Sequence, residues 1–127
     1  MENTDDFRRE KIREVREYLE GYRFCVDMLQ LRQYERVHPS RFDEPIAEEL
    51  LSGNEAFWKS RMLEIGLFVG SLPNGRAKLM LHYRYIKGMS VERVADLLGV
   101  SRRTGYRLYD KGLALAALLF EKRKSGK

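Results

Sequence analysis

Arginine side chains that can form paired hydrogen bonds cluster in one short stretch of this sequence. Arg102, Arg103 and Arg107 follow Ser101, with Tyr106 among them. A guanidinium group donates two parallel hydrogen bonds to a phosphate or to the edge of a guanine base. A charge run is often a solvated helix face. Here the helix cap, the preceding glycine turn and the arginine placement agree, and we favour contact with DNA.

A helix that begins at residue 102 would hold these side chains together. The Ser101 hydroxyl is suited to accept a free backbone N–H of the first turn. At about 100° per residue, the helix has two distinct faces. The outward face carries Arg102, Arg103, Tyr106, Arg107 and Asp110, and the inward face carries Thr104, Gly105, Leu108, Gly112, Leu115 and Leu119. Glycine at position 105 either lets the backbone approach another helix or loosens this one.

A shorter helix is predicted just before this one. Ser90 is placed to cap it, and Gly99 supplies the left-handed residue that a helix end requires. Ala95 is small enough to let two helices cross closely. The apolar side of the short helix comprises Val91, Val94, Ala95, Leu97 and Leu98. This is the helix-turn-helix pattern, in which the second helix lies in the DNA major groove and its N-terminal residues face base edges.

Residues 76–120 resemble region 4 of bacterial sigma factors, notably in the arrangement RYI-x-G-x-S-x-E at positions 84–92. The stretch SRRTGYR at positions 101–107 is similar to small phage and prophage regulators of the ArpU-like and RinA-like type. This resemblance implies a DNA-binding transcription regulator of phage or prophage origin, with RNA polymerase as a candidate partner.

Each candidate residue has an expected role. The three arginines of the outward face are expected to read bases, and Tyr106 to stack on a base or contact phosphate. Ser101 and Thr104 would present backbone and hydroxyl donors to phosphate. The basic residues expected to position the DNA backbone are Arg84, Lys87 and Lys111.

Charge is divided unevenly along the chain. Residues 76–127 carry 13 of the 24 Lys and Arg but 4 of the 19 Asp and Glu, a net +9, which leaves −4 for residues 1–75 and +5 overall. A basic C-terminal half behind an acidic N-terminal half is typical of a polyanion-binding module beside a protein-interaction region.

Composition indicates a globular protein of the cytoplasm. The 127 residues are 43% hydrophobic and 34% charged, and this length suits one compact core or one small domain with an appended hairpin. Cys25 is the sole cysteine, so no intramolecular disulfide is possible, and we expect it to be a small core residue. The charged N-terminus does not resemble a signal peptide. The longest apolar run, Leu113 to Phe120, is far shorter than the roughly 20 residues of a membrane span.

Two long helices are predicted before the basic half, one over residues 4–36 and one from residue 54. The connector at residues 37–53 is predicted to hold a short helix, Pro45 to Leu51, closed by Ser52-Gly53. Apolar residues on both long helices alternate spacings of three and four. They are Ile12, Val15, Leu19, Tyr22, Val26 and Leu29 on the first helix and Trp58, Met62, Ile65, Val69 and Leu72 on the second. These seams predict an antiparallel hairpin or, alternatively, pairing across a dimer.

The expected fold is all-α, with an N-terminal long-helix hairpin followed by a C-terminal sigma region 4-like helix-turn-helix module. Residues 1–75 form the hairpin, an oligomerisation or interaction region, and residues 76–127 form the DNA-binding module, whose first helix is predicted from Arg76 to Ile86. The stretch Leu113 to Phe120 is apolar on every side and must be covered by the hairpin, a second copy or both. We therefore expect a homodimer.

No constellation of residues points to catalysis. His38 and His82 are far apart in sequence, and no phosphate-binding glycine loop is present. We expect no enzyme activity, no metal and no cofactor. The leading interpretation is a sequence-specific regulator of transcription that binds double-stranded DNA. The alternatives are an RNA polymerase-binding adaptor without strong DNA specificity and a small-terminase-like DNA packaging protein that forms rings.

Overall fold

A computed structural model describes residues 3–38 and 48–126 of the chain. It contains five α-helices and a short π-helical turn, and no strand occurs among the described residues. The elements are α1 (Asn3–Val37), α2 (Glu48–Gly70), α3 (Arg76–Leu81), the π-helical turn (His82–Ile86), α4 (Val91–Leu98) and α5 (Arg102–Ser125). The predicted all-α architecture is confirmed.

The two long helices pack as an antiparallel hairpin. The Tyr18 hydroxyl in the middle of α1 donates to the Glu64 carboxylate near the end of α2, at 2.7 Å. Towards the other end of the hairpin, the Arg36 guanidinium pairs with Glu55. The most deeply buried seam residues are Val15 and Leu19 on α1 and Ile65 and Val69 on α2. The heptad spacing therefore predicted the pairing correctly.

Helix α2 begins earlier than predicted. It runs without a break from Glu48 through Ser52 and Gly53, so the predicted end of a separate short helix at those two residues is wrong. The first residues of that short helix, at positions 45–47, lie outside the described residues. Glycine inside a helix lowers its stability by about 1 kcal/mol relative to alanine. The hydrogen-bonded turns that continue on both sides of Gly53 can offset this loss.

The hairpin and the C-terminal half of the chain share one hydrophobic core. Val15, Leu19 and Phe68 from the hairpin pack with Tyr85 and with the buried side of α5. The α5 residues buried there are Leu113, Ala116 and Ala117. Helix α5 is therefore anchored in the hairpin by its C-terminal half.

The hairpin covers one side of the apolar segment Leu113–Phe120. Ala117 is buried there, whereas Leu118 is 71% exposed. One copy of the chain therefore does not bury this segment on every side.

Candidate nucleic-acid interface

Helices α4 and α5 are joined as the sequence predicts for a helix-turn-helix. The Ser90 hydroxyl accepts the Arg93 N–H at 3.1 Å, which caps α4. Helix α4 ends at Gly99, whose φ of 71° lies in the left-handed region that favours glycine. The Ser101 hydroxyl accepts the Thr104 N–H at 3.1 Å and so caps α5. Both predicted caps and the glycine turn are confirmed.

Two glycines allow α5 to lie very close to its neighbours. A Cβ atom at Gly105 would lie 2.7 Å from the Cβ of Ala95 on α4. A Cβ atom at Gly112 would lie 2.9 Å from the Ala77 carbonyl oxygen on α3. Of the two roles considered for Gly105, close approach of the backbone is the one observed. These contacts fix where the start of α5 projects from the protein.

A small apolar cluster packs beneath the helix-turn-helix, on the side away from the exposed arginines. Met80, Val91 and Val94 are buried in it, and Leu108 of α5 packs against them. The prediction for Leu97 is wrong, because this side chain is 55% exposed. Leu97 is exposed because, at about 100° per residue, it lies roughly 110° round the helix from the buried side formed by Val91, Val94 and Ala95.

The first turns of α5 present a basic surface to solvent. Arg102, Arg103 and Arg107 are exposed, as predicted, and Lys111 extends the surface by one further turn. At the start of the helix, the Ser101 hydroxyl also donates to the Thr104 hydroxyl oxygen at 3.1 Å. The free backbone N–H groups of this first turn favour an anion in the same place.

Tyr106 is tied to α4 by a residue that was not among the predicted contact residues. Its hydroxyl donates to the Glu92 carboxylate across the gap between α5 and α4. This hydrogen bond is the main cause of the lowered pKa of Glu92, and the positive charges of Arg102 and Arg84 lower that pKa further. The same bond raises the pKa of Tyr106. Glu92 is therefore bonded to one predicted contact residue, Tyr106, and its pKa also responds to the charges of two others, Arg102 and Arg84.

The sequence offers little sign of this arrangement. Glu92 and Tyr106 are 14 positions apart, and only the crossing of α4 and α5 makes them neighbours. A carboxylate in the first turn of a capped helix is explained equally well by the helix dipole.

The segment before α4 departs from the predicted single helix over residues 76–86. The α-helix ends at Leu81, and a π-helical turn follows, in which the Lys87 N–H donates to the His82 carbonyl at 3.2 Å. Its buried residue Tyr85 forms a hydroxyl–hydroxyl hydrogen bond of 2.6 Å with Tyr109 of α5. Burial and this bond raise the pKa of Tyr85.

Arg84 and Lys87, the predicted backbone contacts, lie on this turn and just after it. The Arg84 guanidinium lies over the Tyr85 ring, 5.2 Å from its centroid. Lys87 is exposed. The positive charge of Arg84 contributes to the lowered pKa of Glu92, and that of Lys87 lowers the pKa of His82 after the larger effect of burial.

Arg23 of α1 is a second residue that sequence reasoning missed. It donates to the Ile86 carbonyl oxygen at 3.0 Å, at the end of the π-helical turn. Its guanidinium also packs against Gly88, whose φ of 74° is left-handed. The hairpin thereby fixes the loop that carries Lys87.

The described ranges 3–38 and 48–126 show neither a metal-binding cluster nor a membrane-spanning helix. They hold no group of three or more His, Cys, Asp or Glu side chains arranged to bind a metal ion. Within the same ranges, no helix combines the length and apolar character needed to cross a membrane.

Comparison with known proteins agrees with this geometry. A family described as a homeodomain-like domain matches residues 76–119. No curated protein and no solved structure gave a match. The matched segment begins with α3 and covers the whole of α4 and most of α5. The chain thus carries a helix-turn-helix module, and over residues 76–119 it is similar to homeodomain-like domains.

Proposed function

We propose that this chain is a sequence-specific regulator of transcription that binds double-stranded DNA by placing the start of α5 in the major groove. The observation that carries the proposal is the exposed row of Arg102, Arg103 and Arg107 on a capped helix. A helix whose charges are merely solvated would not need close contacts with other helices to fix its position. This one is held by the close contacts of Gly105 and Gly112 with α4 and α3.

The exposed arginines and their neighbours have different proposed roles in DNA recognition. Arg103 and Arg107 are free to reach base edges, where a bidentate contact with guanine discriminates by about 1–3 kcal/mol. Arg102, whose charge contributes to the lowered pKa of Glu92, is proposed to read a base at the edge of the site. Backbone contacts are proposed for Ser101, Thr104, Tyr106, Lys111, Arg84 and Lys87.

The proposed binding partners follow from the same arrangement of residues. Two copies acting on two half-sites would multiply the discrimination of one, so we propose a homodimer. The resemblance to sigma region 4 and to phage regulators supports a phage or prophage origin, a cytoplasmic site of action and RNA polymerase as a second partner.

The test is selection of binding sites from a random duplex pool, followed by affinity measurements across a salt series. Arg103→Ala and Arg107→Ala should each lose about 1–3 kcal/mol on the selected site and much less on unrelated duplexes. Arg16→Ala is the matched control, because Arg16 is an exposed arginine on α1 and its removal changes the net charge equally. It should leave the selected-site affinity almost unchanged.

Other outcomes would favour other functions. Equal loss on all sequences, with the salt slope reduced by about 1, would make these arginines phosphate contacts. Absence of DNA binding, with capture of RNA polymerase from nuclease-treated lysate, would favour the adaptor. A ring of eight or more copies would favour a packaging protein.

A further inference from the structure

The hydrogen bond between Tyr106 and Glu92 lies within the surface that the proposed function assigns to DNA. The Tyr106 hydroxyl on α5 donates to the Glu92 carboxylate on α4. Tyr106 is 44% exposed, and Glu92 is partly buried. A predicted DNA-contact residue is therefore already bonded to an acidic group of the protein itself.

A DNA phosphate requires the same proton from Tyr106. Phosphate oxygens accept hydrogen bonds, and tyrosine hydroxyls are among the groups that donate to them in protein–DNA complexes. A tyrosine hydroxyl carries one proton, so it donates to only one of two acceptors at a time. Because a carboxylate and a phosphate are both anionic acceptors, Glu92 and the DNA backbone compete for this hydroxyl.

Positive charge from the same surface also acts on Glu92. Arg102 precedes Tyr106 by four positions, which places the two side chains on one side of α5. The bond from Tyr106 lowers the pKa of Glu92, and the charges of Arg102 and Arg84 lower this pKa further. The carboxylate is therefore ionised at neutral pH, and its charge opposes the attraction of these arginines for phosphate.

The helices that carry the two partners are held in fixed positions. A Cβ atom at Gly105, the residue before Tyr106, would lie 2.7 Å from the Cβ of Ala95. Ala95 follows Glu92 by about one turn of α4. The bond can therefore break by rotation of the two side chains, without movement of α4 relative to α5.

We propose that Glu92 is an internal competitor of the DNA phosphates: it holds the Tyr106 hydroxyl in the free protein, and Tyr106 donates to a phosphate oxygen instead when DNA binds. The proton stays on the tyrosine oxygen, so one hydrogen bond breaks and another forms. This inference rests on the proposed function, which places DNA against α5. Because the two bonds nearly cancel, the Tyr106 hydroxyl adds little to the DNA affinity of the wild-type chain.

The experiment is a double-mutant cycle on DNA affinity, made with Tyr106→Phe and Glu92→Ala in the full chain. Fluorescence anisotropy measures binding to one unrelated duplex at a fixed salt concentration. In the wild-type background, Tyr106→Phe should change the dissociation constant by less than about twofold, since the free and the bound protein each lose one bond. In the Glu92→Ala background, the same substitution should weaken binding by about five- to tenfold, because only the phosphate bond is then lost.

The matched control is a second tyrosine–carboxylate bond, which joins Tyr18 of α1 to Glu64 of α2 at 2.7 Å. An arginine also lies beside this carboxylate, since Arg61 is 3.6 Å from Glu64. The Tyr18 ring packs against Phe120, which lies 14 positions after Tyr106 and thus about 21 Å along α5. Glu64→Ala and Tyr18→Phe should leave the DNA affinity within about twofold of the wild-type value, because salt screens charges at this distance.

The cycle separates this inference from the proposed function. Equal effects of Tyr106→Phe in the two backgrounds overturn the inference, because the hydroxyl then makes the same contacts with and without Glu92. Binding without sequence preference contradicts the proposed function alone, since the phosphate contact is the same on every duplex. Absence of binding to any duplex, by every variant, contradicts both. Thermal unfolding verifies that each variant retains the fold.

Titration of the tyrosines tests the bond in the protein alone. Because the bond to Glu92 raises the pKa of Tyr106, Glu92→Ala should lower the pH at which one tyrosine ionises. Ultraviolet difference spectroscopy measures this ionisation, and Tyr106→Phe identifies the tyrosine concerned. An unchanged titration in Glu92→Ala overturns the inference, whatever the affinity for DNA.

Discussion

The substitution Gly105→Ala tests the crossing of α4 and α5 most directly. A Cβ atom at position 105 would lie 2.7 Å from the Ala95 Cβ, whereas non-bonded carbon atoms settle at about 3.5–4.0 Å. The two helices must therefore separate by about 1 Å. Both contacting groups lie next to the backbone, so neither can swing aside as the end of a long side chain would.

Two opposing effects set the size of the change in stability. Alanine favours a helix over glycine by about 1 kcal/mol. Overpacking a core typically costs about 1–3 kcal/mol, and the absence of a flexible neighbour places this contact in the upper part of that range. The free energy of unfolding should therefore fall by about 1–2 kcal/mol.

The control is Gly66→Ala on α2. A Cβ atom at Gly66 would meet no atom within 4 Å, so helix propensity acts alone. This variant should gain roughly 0.5–1 kcal/mol, opposite in sign to the same change at Gly105. Urea unfolding followed by circular dichroism measures both changes from the transition midpoints.

Adding Ala95→Gly to Gly105→Ala moves the methyl group from one helix to the other. The double-mutant cycle should show a favourable coupling of about 0.5–3 kcal/mol between the two positions. If Gly105→Ala raised the unfolding midpoint as Gly66→Ala does, that result would refute the close crossing of α4 and α5 as we describe it.

Two further predictions concern the polar contacts of α5. Because burial raises the pKa of Tyr85, its contribution to stability should be complete below about pH 10 and should be lost as higher pH ionises the unfolded tyrosine. Tyr85→Phe should lower the free energy of unfolding at pH 8 by about 1–3 kcal/mol, since the Tyr109 hydroxyl loses its partner. The same variant should lose less stability than the wild type between about pH 10 and 12. Urea unfolding at each pH measures both effects. Glu92→Gln removes a negative charge that interacts with Arg84 and Arg102, so it should tighten binding to unrelated duplexes several-fold. Fluorescence anisotropy measures this affinity. Unchanged or weaker binding would contradict the idea that the Glu92 carboxylate weakens the attraction of this surface for DNA.

Sequence reasoning was accurate where a local rule decides the structure. The serine caps at positions 90 and 101 and the left-handed Gly99 follow from backbone groups within one helical turn, and all three are confirmed. The hairpin seams follow from the period of the helix. The outward position of the arginines follows from the same period.

Prediction from the sequence failed where the structure depends on how helices cross. Leu97 lies at the margin of the apolar side of α4, and the crossing with α5 at Ala95 leaves it 55% exposed. Glu92 and Arg23 gain their partners from other helices, so no local pattern identifies them. The π-helical turn carries Tyr85, whose contact with Tyr109 is likewise contained in no spacing rule.

The long helix α5 joins the two halves of the chain physically. It has 24 residues and is about 36 Å long, with exposed arginines on its first two turns and Leu113, Ala116 and Ala117 buried beside α1. Because one helix serves both regions, the hairpin sets the direction in which the arginine surface points. Arg23 adds a second link, since it holds the loop that carries Lys87. A contact that shifts α1 must therefore also shift the basic surface, so we regard the hairpin as part of the recognition unit.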